Sequence, residues 1–431
     1  KRAGYDHIVM VGKAEKPSAL LIAPGEAPQI VDAAEFWGMD SYQTDAAIQE
    51  KYGPCETARI GPAGENLVCY ASILSGSKRL STNGRTGMGC VMGAKNLKAI
   101  IVKGENGKEI PVADDTAVNQ LAKRYRETWV NGTWIEFKRM YGTLTNFAQI
   151  AEHLRVKNEQ EPLTKEQEEA YDLEEFTEQF KTGQTTWYRC PVSCTQKWEI
   201  TDGPYAGDSG DKVEYGHLLH LGPHIGVFDF AAMLHLSDVS NRLGMDCIQF
   251  GYNTAIVMEC YERGIVSAEQ AGGREVTWGN VEVVEQLMRE TAAREGFGDL
   301  LAESAREMVA RIGPEAVPYG SHIKGLSFPF SCTTALPMSL AASVATRGGD
   351  HLKGHPFSAI IGHEEMLAKL FADIPEEAAD HASPVAKGRV VWWQENYKMI
   401  LDCLGVCFLP IINSNVWSDP LIMVEEMNEW Y

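Results

Sequence analysis

No stretch of this 431-residue sequence reads as a membrane span. The most apolar candidate, LSFPFSCTTALPMSLAASVA, is broken by two prolines and rich in hydroxyls, so it reads as a buried segment of a globular fold. There is no Lys/Arg run and no basic helix; 39 basic against 59 acidic residues give a net charge of -20, which repels phosphate backbones and anionic lipid and excludes nucleic acid as a partner. No repeat of solenoid period is found. No positively charged start with a short apolar core opens the chain, and its ten cysteines are spread irregularly over a long sequence, which argues against a secreted disulfide framework and for a reduced, cytoplasmic setting.

What is present is an ordinary globular composition, 44% apolar and 23% charged, in a chain long enough for two or three domains. The first hundred residues alternate short apolar runs (HIVMVG, ALLIAP, LKAIIVKG) with Gly and Pro, the pattern of strands joined by turns. From about residue 113 longer polar stretches take over, including the acidic EQEPLTKEQEEAYDLEEFTEQF, read as exposed helix or connection. Beyond Cys194, DFAAMLHLSDVSNRLG and NTAIVMECYERG carry apolar residues three and four apart and close on Gly, as helices do. The expected fold is α+β: a β-rich domain over 1–112, then mostly helical domains over 113–330 and 331–431.

Four local patterns carry chemistry. WYRCPVSC sets Cys190 and Cys194 four apart around a proline, a pair that by itself fits buried thiols as well as metal ligands. NRLGMD (241–246) and DCLGVC (402–407) share a frame in which Gly ends a helix and polar groups flank the loop, suited to a ligand with two similar halves or to two ordinary helix caps. NGRTGMGCVMGAK (83–95) lacks the Gly-Lys-Ser/Thr of a P-loop and is read with a strand, not a helix, after it; its glycines and Arg85 suit either an anion cradle or tight turns. In DKVEYGHLLHLGPH, His217, His220 and His224 fall at i, i+3 and i+7, a spacing that in isolation points to zinc, although the Gly-Pro before His224 breaks the helix that would align it.

AGYDHIVMVGKAEKP, IGPAGENLV, GRTGMGCVMGAKNLKAI, CPVSC, RGGDHLKG and DCLGVC occur in an order that resembles the aldehyde ferredoxin oxidoreductase family over nearly the whole chain. The resemblance implies a tungsten or molybdenum centre on two pterins beside an iron-sulfur cluster, with the β-rich N-terminal domain taking part in pterin binding. It also implies a sheet-forming segment before the present start and a helical one after the present end, so truncation at both ends is expected.

Residue by residue, the resemblance implies that Cys190, Cys194 and Cys407 match the second, third and fourth cysteine ligands of the cluster, while Trp187 stands in place of the first. A 4Fe-4S cluster with a substitute ligand, a 3Fe-4S form, or no cluster are the outcomes this leaves. Asn83, Gly84 and Arg85 are implied at a pterin phosphate and its Mg2+. Asp246, Lys353 and Asp402 are implied at the pterin rings, with Asn241 where an aspartate is typical. His351 is implied near the metal and suits proton transfer. Where the family places a glutamate two residues after Glu214, this chain has Gly216, which shifts the acid-base burden to His351 and His217; Glu214 would share it only with a raised pKa.

The expected function is thus oxidation of an aldehyde to a carboxylic acid, with electrons passed to ferredoxin or a small iron-sulfur subunit in an anaerobic setting. The alternatives are a non-catalytic or electron-transfer subunit of the same fold and, less favoured, a histidine-bound zinc hydrolase. In some relatives a symmetric dimer is bridged near the helix that here holds His235 and Asp238, so a homodimer is one arrangement the resemblance allows.

Overall fold

The computed structural model describes residues 3–409 apart from 6, 77–79, 105–111, 113, 131–132, 188–189, 329–335, 355, 357–375, 379, 381 and 406. Strands β1 (Ser18–Ile22), β2 (Gln29–Asp32), β3 (Glu56–Arg59), β4 (Ile73–Ser75), β5 (Ser81–Asn83) and β6 (Leu97–Val102) form one sheet in the order β2-β1-β6-β3-β4-β5. β1 and β6 run parallel, with Leu20 opposite Ile100, and the other neighbours pair antiparallel. Side chains alternate across a strand, so both faces of this sheet acquire a core. Ala19, Ala99 and Ile101 pack with Phe36 and with Ile48 of helix α1 (Ser41–Tyr52). On the other face Leu20, Ile22 and Leu97 pack with Ile60 and Met92.

Charge is buried in this sheet as well. Lys98, fully buried on β6, donates to Glu65 at the end of helix α2 (Pro62–Glu65) and to the Met39 carbonyl. Arg59 and Asp45 form a second buried pair at 3.3 Å. Such pairs must satisfy each other, because an isolated charge at these positions would be far too costly.

Two expectations are corrected here. Residues 7–11 are irregular and largely exposed, with Val9 at 86%; an apolar run becomes a strand only beside a partner for its backbone, and no described strand pairs with it. The glycine-rich stretch runs directly into helix α3 (Met88–Ala94), and β6 comes only after that helix. Its glycines explain why. A Cβ on Gly93 would lie 1.8 Å from the Gly64 carbonyl oxygen and one on Gly89 2.5 Å from that of Ser72, so these residues let α3 press against neighbouring backbone. Gly84 alone of the four keeps open space, with only Thr82 near it at 3.6 Å, so any anion cradle narrows to the Asn83–Arg85 end.

The chain divides into two compact units, each assembled from separated pieces: 1–110, 155–183 and 196–321 form one, and 111–154, 184–195 and 322–431 the other. In the first, the sheet is accompanied by helices Tyr215–His220, Phe230–Leu243, Cys247–Glu262 and Val281–Ala293. In the second, helices α4 (Asp115–Val130) and α5 (Thr133–Tyr141) precede the Cys190–Cys194 loop, and helix Leu336–Val344 packs on helix Lys387–Leu404. The result is α+β, a sheet-rich N-terminal region followed by a mostly helical remainder. Among the described residues no helix is long and apolar enough to cross a membrane.

Candidate functional site

In the first unit, three separated motifs meet. Helix Phe230–Leu243 stops at Gly244 in the left-handed conformation, and Asp246 caps the next helix, Cys247–Glu262, by accepting from the Ile248 amide at 3.0 Å. The loop between them is clamped to the segment 60–72: the Ser72 amide donates to the Gly244 carbonyl at 2.8 Å, and the Asp246 amide to that of Tyr70 at 3.1 Å. A Cβ on Gly61 would lie 2.5 Å from the Leu243 carbonyl oxygen, so this approach requires glycine. The glycine-rich stretch joins through Ser72, whose hydroxyl donates to the Gly84 carbonyl at 2.7 Å, and through Arg85, whose Nε lies 3.2 Å from Asp246 Oδ2 with both side chains buried. Burial pushes the Asp246 carboxyl above its ordinary value, and the Arg85 charge and hydrogen bond oppose that rise.

Close to this junction, the Glu214 side chain keeps 47% of its accessible surface, and Gly216 and Cys247 are also only partly covered. Burial pushes Glu214 up, but the Lys212 and His217 charges and the Lys212 hydrogen bond outweigh it, so the carboxyl lies below its usual value. The raised pKa that the sequence reading required of Glu214 is therefore corrected: Lys212, 3.2 Å away, holds it ionised.

His217 is the neutral counterpart. Its Nδ1 accepts from the Glu214 amide at 3.3 Å and its ring bonds the Asn241 side chain; burial pulls it down to about 4 despite the Glu214 charge. His220 and His224 do not join it around a common centre. Their Nδ1 atoms face each other at 3.1 Å, both buried, and burial pulls His224 down to about 3. Among the described residues no three His, Cys, Asp or Glu side chains converge on a single metal ion, so the geometry gives the zinc alternative no support.

In the second unit, Cys190 closes a turn by donating its amide to the Trp187 carbonyl at 2.9 Å, and the Thr186 hydroxyl donates to the Cys190 carbonyl at 2.6 Å. Ser193 takes a left-handed φ of 52° immediately before Cys194. Cys190 and Cys194 are half-buried and Cys407 is exposed. The chemistry of this donor set, half-buried thiols on a short turned loop, fits a thiolate-bound iron cluster. In the RGGDHLKG stretch, Arg347 Nε donates to the buried Asp350 at 2.6 Å, His351 Nδ1 lies 3.9 Å from the other Asp350 oxygen, and Lys353 is half-buried. Asp402 accepts from Lys398 one turn earlier on its helix.

The structure thus brings Glu214, His217, Asn241, Arg85 and Asp246 together, with Gly84 adjacent and Asn83 exposed on β5. His351, Lys353, Asp402 and the three cysteines belong to the other unit. His235 and Asp238 are engaged within the chain, His235 Nδ1 at 2.6 Å from Asp208 and Asp238 with Arg242. Sequence reasoning missed Lys212 and Cys247. Each stood next to a chosen residue: Lys212 two before Glu214 along an extended segment, Cys247 directly after NRLGMD.

Comparisons with known proteins show which family the chain resembles. Residues 1–104 match the family model described as aldehyde ferredoxin oxidoreductase, N-terminal domain, and residues 117–430 match aldehyde ferredoxin oxidoreductase, domains 2 and 3. The chain is 32% identical over 420 residues to a tungsten-containing aldehyde ferredoxin oxidoreductase of Pyrococcus furiosus, covering 94% of this chain and 65% of that protein. It is 31% identical over 379 residues to an aliphatic sulfonate oxidoreductase, WOR-like subunit, of the same organism, covering 81% and 59%. A solved structure, the active site complex BamBC of benzoyl coenzyme A reductase with 1,5-dienoyl-CoA, superposes with a TM-score of 0.74 at 22% identity, over 94% of this chain and 66% of that one. The chain spans just under two thirds of the length of the curated relatives it matches.

Proposed function

The chain belongs to the aldehyde ferredoxin oxidoreductase family, and from that premise we propose that it is an oxidoreductase built around a tungsten or molybdenum bis-pterin centre and an iron-sulfur cluster. Its default reaction is conversion of an aldehyde to a carboxylic acid, with ferredoxin or a small iron-sulfur subunit as electron acceptor. The observation that carries this reading is the meeting of segments 60–72, 83–89 and 241–246 at the buried Arg85–Asp246 pair, with the partly exposed Glu214 close by. A ligand with donors, acceptors and a phosphate needs such a mixed lining.

Within this proposal, Asn83, Gly84 and Arg85 hold a pterin phosphate with its Mg2+, and Asp246, Lys353 and Asp402 hydrogen-bond the pterin rings, with Asn241 where an aspartate is typical. Cys190, Cys194 and Cys407 hold the cluster, of 4Fe-4S or 3Fe-4S type. When bound, the metal centre supplies two-electron chemistry and the cluster passes electrons on singly. The protein's own groups move protons. His351 and His217 carry the acid-base burden, while Lys212 holds Glu214 ionised and below the pKa at which it would share it. The proposal retains the division into a β-rich domain over 1–112 and helical domains over 113–330 and 331–431 and a cytoplasmic location, and it allows a homodimer.

A second reading, an electron-transfer or non-catalytic subunit of the same fold, is favoured by one observation. Position 216 carries no side chain, and Ile248 already stands 3.3 Å from where its Cβ would be.

Aldehyde-dependent reduction of a viologen dye by anaerobically purified protein separates the two. The oxidoreductase reading expects turnover, with His351→Ala losing about two to four orders of magnitude, typical for an acid-base group, and His217→Ala losing less. Absence of turnover across a panel of aldehydes in iron-loaded protein would leave the subunit reading in place.

A further inference from the structure

A second cysteine pair repeats the spacing of the first. CLGVC sets Cys403 and Cys407 four apart, as CPVSC does Cys190 and Cys194, and no other two of the ten cysteines stand four apart. Each pair spans a residue in the left-handed conformation, Ser193 at a φ of 52° and Gly405 at 68°. Such a residue turns the backbone, which lets side chains four apart face one region. At the second pair the turn is well defined. Cys403 lies exposed on the last turn of helix Lys387–Leu404, and Gly405 ends that helix by donating its amide to the Asp402 carbonyl at 3.2 Å. The chain then folds back, so that the ring of the buried Phe408 lies 6.0 Å from Lys398 Nζ inside the helix. Cys407, next to Phe408, thereby returns to the helix end that carries Cys403. Both pairs belong to the same compact unit.

A four-iron cluster takes four thiolates, each on its own iron, so its ligands stand around it and do not converge on one ion. The loop supplies two and Cys407 a third. Where a further cysteine would stand, Trp187 has an indole, which donates a hydrogen bond and offers iron no lone pair. Cysteine is among the most buried residue types, yet Cys403 is exposed, so packing does not explain it.

Resting on the cluster reading above, we propose that Cys403 is the fourth thiolate ligand, binding the iron that Trp187 leaves without a cysteine. The ligands then form two pairs, one from the loop and one from the helix end. The iron on Cys403 is the most easily lost of the four, because its ligand is open to solvent on a last helical turn, where helices fray.

The test uses the full chain, purified anaerobically, with iron content and electron paramagnetic resonance as readouts. Wild type is expected to hold about four irons per chain and Cys403→Ala about three, the latter with a three-iron signal. Alanine at an exposed helical position leaves the fold intact. Adding Trp187→Cys to Cys403→Ala should restore the fourth iron, a rescue that a role of Cys403 in shape alone would not permit. Wild-type iron content and spectrum in Cys403→Ala overturn this inference alone. Loss of all iron in Cys403→Ala that Trp187→Cys fails to restore also overturns it, by showing a role in shape. Wild-type protein without iron overturns the cluster reading and this inference with it.

Discussion

Arg85 and Asp246 lie 161 residues apart in sequence and 3.2 Å apart in the fold, both buried, and together they join the glycine-rich stretch to the loop between two helices. Removing one member of a buried pair strands the other, at about 3–5 kcal/mol, whereas replacing both with apolar groups of similar volume is often neutral. Asp246→Asn and Arg85→Met should each lower stability by about that amount, and Arg85→Met with Asp246→Leu should recover most of it. Denaturant unfolding of the three variants measures this; a double variant as unstable as the sum of the singles would show that the pair is not coupled.

Acid should unfold the protein early. Unfolded histidine takes a proton near pH 6.5, but burial lowers His217 to about 4 and His224 to about 3 in the fold. Between those values the unfolded state binds more protons, so the stability these rings contribute is complete above pH 6.5 and falls as pH falls toward 4. At 1.36 kcal/mol per pKa unit, His217 alone accounts for about 3 kcal/mol of that loss. His224→Gln, which keeps polarity without titrating, should lose less stability than wild type between pH 7 and pH 5. Parallel loss in both proteins would contradict the assignment.

Much of this was legible in the sequence, and what was missed has a physical cause. The ends of both helices around NRLGMD could be read because Gly244 and Asp246 act locally, as stop and cap. Strands β1 and β6 were visible as short apolar runs, whereas residues 7–11 form a similar run but have no described strand beside them. Helix α3 was missed because its glycines look like turn residues, when their purpose is contact with backbone distant in sequence, Gly89 with Ser72 and Gly93 with Gly64. The Arg85–Asp246 pair and the Lys212 effect on Glu214 are products of tertiary placement, to which no local pattern points. Trp187 and Gly216 stood out only through the resemblance, since nothing in their spacing marks them.

The Trp187 carbonyl already accepts from the Cys190 amide, so the backbone turn of a two-cysteine knuckle is present with an indole in place of the first thiol. Trp187→Cys should therefore stabilise a four-iron cluster. A three-iron or labile paramagnetic signal in wild type should become a stable four-iron one, and iron per chain should rise. An unchanged spectrum would mean that another residue already fills that position.

Metal analysis of anaerobically purified protein tests the central claim most directly. The account predicts tungsten or molybdenum together with iron, with iron lost in Cys194→Ala. Zinc as the only metal, or carefully prepared protein containing neither iron nor tungsten nor molybdenum, would contradict it.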